Sequence, residues 1–283
     1  MKKVITNILL MVVIILTSAC GRTDSPLSDK SIEDLRNYNL TMTKKLNAVS
    51  SKSLDELAKA TDEIGKVEYA KKLLGIDISQ YDRFLIAKYN NAKAKEAIEI
   101  LEKLANEGNQ YANLALAELY FKGNSRCAGF AVCNMPVDFD AQKTRKYAEQ
   151  AIKISTEKAF TGFAYKILGD LNLYKKNALN SALNGYFLKT SEIDSAIKNY
   201  KTALKYGNSD AAFWLFLIYN GIPISYDESL VEPDKKRAKL FLKISADWGD
   251  LKAIDYYLWK TIYRSPKDWK QNIATISKYI KQI

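Results

Sequence analysis

A chain of 283 residues in which 43 Lys and Arg face 32 Asp and Glu carries a formal net charge of +11 and no histidine. The lack of imidazole excludes histidine-based proton transfer, Ser/His and Cys/His nucleophilic pairs, and imidazole-bound zinc. Only five prolines and twelve glycines interrupt long stretches in which Ala, Leu, Lys, Glu and Tyr recur at spacings of three and four, a composition that predicts an all-helical chain.

In chain order, Met1, Lys2 and Lys3 form a basic start, and Val4 to Leu16 is apolar apart from Thr6 and Asn7. That run is shorter than the about 20 apolar residues a membrane-spanning helix needs, and it has the layout of an export signal. Thr17, Ser18 and Ala19 then lead directly to Cys20. These small residues before a cysteine resemble the lipobox of bacterial lipoproteins, although Thr17 stands where that motif more usually has Leu. The resemblance implies cleavage at the end of 1–19 and a diacylglycerol on Cys20, anchoring rather than spanning the membrane. The alternative is an ordinary secretory signal that happens to precede a structural cysteine. Gly21, where lipoproteins held in the inner membrane commonly have Asp, implies sorting to the outer membrane, facing the periplasm, if the host is Gram-negative. Residues 20–30 are polar and read as a flexible tether.

The region 31–93 contains two amphipathic stretches, SIEDLRNYNLTMTKKLNAVS and SLDELAKATDEIGKVEYAKKLLG. The second is expected to be a helix opened by Ser53 as N-cap, with Glu56 completing a capping box. Together they would cap the first face of the region C-terminal to them or form a stalk.

From 94 to 260 the chain repeats itself. AIEILEKLANEGN from Ala97, AIKNYKTALKYGN from Ala196 and AKLFLKISADWGD from Ala238 align without a gap, each with a glycine eleven places on, at Gly108, Gly207 and Gly249. A further copy begins at Thr144 with Ser155 in the glycine's place. Ala112, Ala159, Ala211 and Ala253 each stand four places beyond, leading apolar helices that close at Gly123 and Gly221 in two copies. Each unit therefore reads as helix A, a loop, helix B and a tight glycine turn into the next A. Starts at 97, 144, 196 and 238 are 47, 52 and 42 residues apart, and elongated A-to-B loops are the expected source of the excess.

LALAELYFKG followed by DAQKTRKYAEQA, and WLFLIYNG followed by PDKKRAKLFLKISADWG, resemble the Sel1-like repeat family, relatives of tetratricopeptide repeats. Asp234, Ala238, Ala246 and Gly249 hold that family's expected places, whereas KILGDLNLY lacks its closing glycine and is followed by a polar insertion. The resemblance implies a right-handed all-α solenoid of helical hairpins, with capping helices at both ends. The segment 261–283 offers the C-terminal one.

Of three cysteines, Cys127 and Cys133 lie close together in RCAGFAVC and in an oxidising compartment would close a structural disulfide. No cofactor or metal is expected, since phosphate loops, nucleophile elbows and calcium loops are missing from the sequence. Glu228-Ser229 is the only Glu-Ser pair, and it lacks the glycine-rich segment of a lytic transglycosylase. Tyr120, Tyr147, Tyr200 and Tyr219 occupy repeat positions expected to be core. Phe130, Tyr226, Tyr256, Tyr257 and Trp259 are the candidates for partner contact. The reading is a non-enzymatic interaction scaffold for an envelope protein. A binder of peptidoglycan, lipopolysaccharide or another acidic envelope polymer, drawn by the basic surface, is the alternative, and a peptidoglycan-active enzyme comes third. Nucleic acid is not an expected partner.

Overall fold

The computed structural model describes residues 29–74, 91–123, 136–175, 187–188, 192–221 and 231–264. An N-terminal region comes first: α1 (Asp29–Ser50), the single-turn α2 (Leu54–Leu57) and α3 (Glu63–Leu74). Four A/B pairs follow: α4 (Asn91–Asn106) with α5 (Gln110–Phe121), α6 (Ala141–Ile154) with α7 (Lys158–Leu173), α8 (Ile193–Lys205) with α9 (Ser209–Asn220), and α10 (Lys235–Asp247) with α11 (Leu251–Arg264). The polar insertion after α7 is bounded by a two-residue antiparallel ladder of β1 (Tyr174–Lys175) and β2 (Phe187–Leu188), with Tyr174 opposite Leu188. The architecture is an all-α solenoid of stacked helical hairpins, with this small ladder the one pairing of strands among the described residues.

The tight and the long connections are the reverse of the expectation from sequence. Helix A passes to helix B through three residues, and the glycines at 108, 207 and 249 make that turn at φ 88°, a conformation that costs other residues Cβ strain. Asn109, Asn208 and Asp250 follow, and their side chains accept hydrogen bonds from the N–H groups of Ala112, Ala211 and Ala253 at 2.8–2.9 Å. The alanine four places after each glycine is thus the residue whose N–H the next helix must cap. The long loops lie between B and the following A. There Asp140 and Asp234 restart the chain: each takes two N–H groups on one carboxylate oxygen, from Gln142 and Lys143 and from Lys236 and Arg237. Their own N–H groups donate to the carbonyls of Tyr120 and Tyr219 at 3.1 and 2.8 Å. Gly221 does end α9 in the left-handed region, but Gly123 does not share that role. It is small because a β-carbon there would strike the backbone of Asp138 and Phe139.

The broadest helix contacts join each B helix to the next A, across those long loops. Buried aromatic rings stack at these seams: Tyr120 on Tyr147 at 5.9 Å and Tyr219 on Phe241 at 5.7 Å. Lys143 lies 4.5 Å above the Tyr120 ring, and Arg237 5.5 Å from that of Tyr219, so the same repeat position supplies a cation to each tyrosine. Tyr200 is fully buried, beside Gly169, where a β-carbon would come within 2.7 Å of its ring. Two apolar clusters result, one around α3 to α7 and one around α8 to α11, with Tyr165 packed against both.

Two further corrections concern the N-terminal region. The capping box forms, with Ser53 N–H donating to Glu56 at 2.7 Å and Glu56 N–H to the Ser53 hydroxyl at 3.3 Å, yet it opens only one turn. Asp62 starts a second helix, its carboxylate accepting from Gly65 N–H at 2.8 Å, because Asp is a stronger N-cap than interior residue. The cap on the first face is supplied by α3, which packs on α4 and α5, and not by α1. It lies along the array, touching residues as distant as Trp248.

Candidate functional site

The B helices α5, α7 and α9 are largely apolar and mostly buried or half-buried, and for that reason the charged residues within them are informative. Glu118 of α5 and Lys166 and Asp170 of α7 project with Asp210 of α9 and Lys252 of α11 into a groove of about 430 Å³. Its floor is Leu114, Phe121, Phe160 and Ile167, and Leu46 of α1 closes one side. Phe163 stands in the groove 46% exposed, an aromatic ring left open to water.

At one end Tyr111 stacks on Phe160 with ring centroids 4.6 Å apart. Lys71 lies 5.2 Å from the Tyr111 ring and donates to its hydroxyl at 2.8 Å and to Glu68 at 2.6 Å, while Tyr111 itself donates to Glu68. Burial first, and then the Glu68 charge, push the Tyr111 hydroxyl far above the ordinary tyrosine range. Midway, Lys122 pairs with Glu118 at 2.6 Å. Burial alone would raise Glu118, but Lys122, Lys71 and Lys166 outweigh it and hold the carboxyl below its usual value.

The far end is a chain of charges that crosses three units. Lys166 Nζ is 2.8 Å from both Asp170 and Asp210, Lys252 reaches Asp210 at 3.5 Å, and the Tyr200 hydroxyl donates to Asp170 at 2.8 Å. Burial would lower Lys166, but the two aspartates more than offset it and raise its pKa. Asp170 is pushed up, chiefly by burial, against the pull of Lys166. Asp210 is held down, because Lys166 and Lys252 together outweigh its burial. Four lysines thus meet four carboxylates along an apolar floor. Such a lining fixes its side chains in place and suits the recognition of mixed apolar and polar side chains.

The sequence-based candidates are not gathered in this groove. Tyr256 is half-buried with its ring 4.8 Å from that of Phe216, and Tyr257 is half-buried against the same cluster. Trp259 belongs to α11, but its side chain lies outside the described residues, as do Cys20, Cys127, Phe130, Cys133, Tyr226 and Glu228. Among the described residues no group of three His, Cys, Asp or Glu is placed to hold a metal ion, and no helix is long and apolar enough to cross a membrane. The overlooked signal was charge inside an apolar helix: Lys166 and Asp170 four apart in KAFTGFAYKILGDLNL.

Comparison with solved structures gives a likeness of the backbone. The chain is similar to a Sel1 repeat protein. That protein, from Oxalobacter formigenes, shares 17% identity in its crystal structure, over 70% of this chain and 67% of its own, with a TM-score of 0.42. No protein-family model matches, and no curated protein does.

Proposed function

We propose that this chain is a lipid-anchored, non-enzymatic docking scaffold of the bacterial envelope, whose groove receives a polypeptide segment of a partner protein. The observation that carries the docking is the groove itself, in which Phe163 is exposed amid lysines that each pair with a carboxylate. Local charge balance favours a polypeptide over an acidic polymer, which would be drawn to unpaired cations. Anchoring rests on the basic start, the short apolar run and the small residues before Cys20, and Gly21 supports the outer membrane as the site. Cys127 and Cys133 would close a disulfide in that compartment.

Crosslinking in living cells, followed by purification of the tagged lipoprotein and mass spectrometry, tests the reading. One stoichiometric envelope protein, lost with Phe163→Glu, is the expected result. Muropeptides or lipopolysaccharide recovered without protein would overturn it in favour of a polymer binder.

A further inference from the structure

The A-to-B turns of three successive units all face α1, and α1 meets them in reverse order. Near its start, the Ile32 carbonyl accepts from Trp248 Nε1 in the fourth unit's turn at 3.0 Å. One or two helical turns on, the Asn39 amide donates to the Gly207 carbonyl in the third. Beside it the Tyr38 hydroxyl accepts from Ala159 N–H at 3.1 Å and donates to Glu157 at 2.8 Å in the second. Met42 and Leu46 complete the stripe against the first apolar cluster. Residues 32, 35, 38, 39, 42 and 46 share one helical face by their three- and four-residue spacing, and Glu33, Asp34, Asn37, Leu40 and Lys44 face water.

The Tyr38 contact is specific in kind. In the first, third and fourth units the N–H of the key alanine is capped by the unit's own Asn or Asp. In the second, where that local cap is missing, Ala159 takes its acceptor from α1 instead. The seat is nonetheless thin. Of the stripe only Met42 is buried, while Ile32, Leu35, Tyr38, Asn39 and Leu46 are half-buried, unlike the wholly buried leucines of α5 and α9.

We infer that these turns form a helix-docking surface of which α1 is the resident occupant, and that an amphipathic helix of a partner protein can take its place. That helix must carry aliphatic residues at α1's spacing, a hydroxyl where Tyr38 reaches the Ala159 N–H, and an amide donor for the Gly207 carbonyl. The surface meets the groove around Phe163 at Leu46, but the contacts of Ile32, Tyr38 and Asn39 involve residues outside the groove's lining, so the inference does not require the groove reading.

The probe is a fluorescein-labelled peptide of residues 29–50, titrated against full-length protein in detergent and against full-length protein carrying Leu35→Asp and Met42→Asp, which unseat α1. The substituted protein is expected to bind the peptide at least tenfold more tightly than the wild type. A Tyr38→Phe peptide should lose most of that gain. No binding by a substituted protein that retains its helical circular dichroism, or equal binding by both proteins, overturns the inference. Should the substituted protein fail to fold, hydrogen exchange on the wild type decides. Amides of 36–50 exchanging at least a hundredfold faster than those of α5 and α9 support displacement, and equal protection refutes it.

Discussion

Gln110, the first residue of α5, accepts on its side-chain oxygen a 2.8 Å hydrogen bond from the backbone N–H of Glu157, in the turn of the next unit. The same amide accepts from the Thr156 hydroxyl and donates to the Ala151 carbonyl and to Thr161. This is the turn in which Ser155 sits at φ 41° where the other units have glycine. One buried side chain from the preceding unit therefore holds a backbone shape that an L-residue resists. Gln110→Met, similar in size but unable to form these bonds, is expected to lower stability by about 2–4 kcal/mol, because several buried polar groups lose their partner together. Urea titration measures it, and a loss below about 1 kcal/mol would mean that water replaces the amide.

Gly108 and Gly207 share φ 88° but differ in surroundings. A β-carbon at Gly108 meets nothing within 4 Å, whereas at Gly207 it comes within 2.9 Å of the Asn39 amide. Gly108→Ala should cost about 1–2 kcal/mol from backbone strain alone. Gly207→Ala should cost more, and the excess should vanish in an Asn39→Ala background, since the two changes act on one contact. Equal costs in the wild-type background would place α1 elsewhere.

The Lys166 chain sets an acid response. Asp210 is lowered in the folded protein, so its contribution to stability is present above the ordinary aspartate value of 3.8 and is lost as pH falls through the lower native value. Asp170 is raised and acts in the opposite sense, its penalty relieved on protonation. Asp210→Asn should therefore flatten the acid limb of a stability-against-pH curve, and Asp170→Asn should not. Lys166→Met, which leaves Asp170 with only the Tyr200 hydroxyl and Asp210 with only Lys252 among the partners described above, is expected to cost about 3–5 kcal/mol, and adding Asp170→Leu should recover part of that.

Phe163 makes a cleaner functional test than any charged residue of the groove. Because nearly half of it is exposed, Phe163→Glu should leave the melting temperature within about 2 °C of the wild type while weakening a groove-bound partner by at least tenfold, about 1.4 kcal/mol. Unchanged partner recovery would remove the groove from the docking proposal.

On the proposed lipidation, Cys20→Ser should move the protein from the membrane to the soluble fraction. Each buried acyl methylene contributes about 0.8 kcal/mol to anchoring, and without the thioether no acyl chain remains. Continued membrane association in alkaline carbonate would point to a different anchor.

The repeats were legible in the sequence because alanine and glycine mark places where helices touch or a turn needs a positive φ, and these recur at fixed intervals. Which glycine served which turn was not legible: Gly108 and Gly123 both follow a helix, and only the backbone angle and the nearness of Phe139 tell them apart. The groove was hidden because Lys166 and Asp170, four apart on a helix, look like an ordinary solvated pair. Their second partners, Asp210 and Tyr200, come from other units. The apolar stripe of α1 was legible as an amphipathic pattern, but its seat was not, since it meets backbone groups and an indole as far as 216 positions away.

That distance also orders events in time. Stacked repeats ordinarily fold by nearest-neighbour steps, but α1, which leaves the ribosome before any repeat, cannot complete its seat until Trp248 has followed it. Until then the apolar stripe of α1 is without its full berth and open to a chaperone, and the fourth unit is the one that completes that berth.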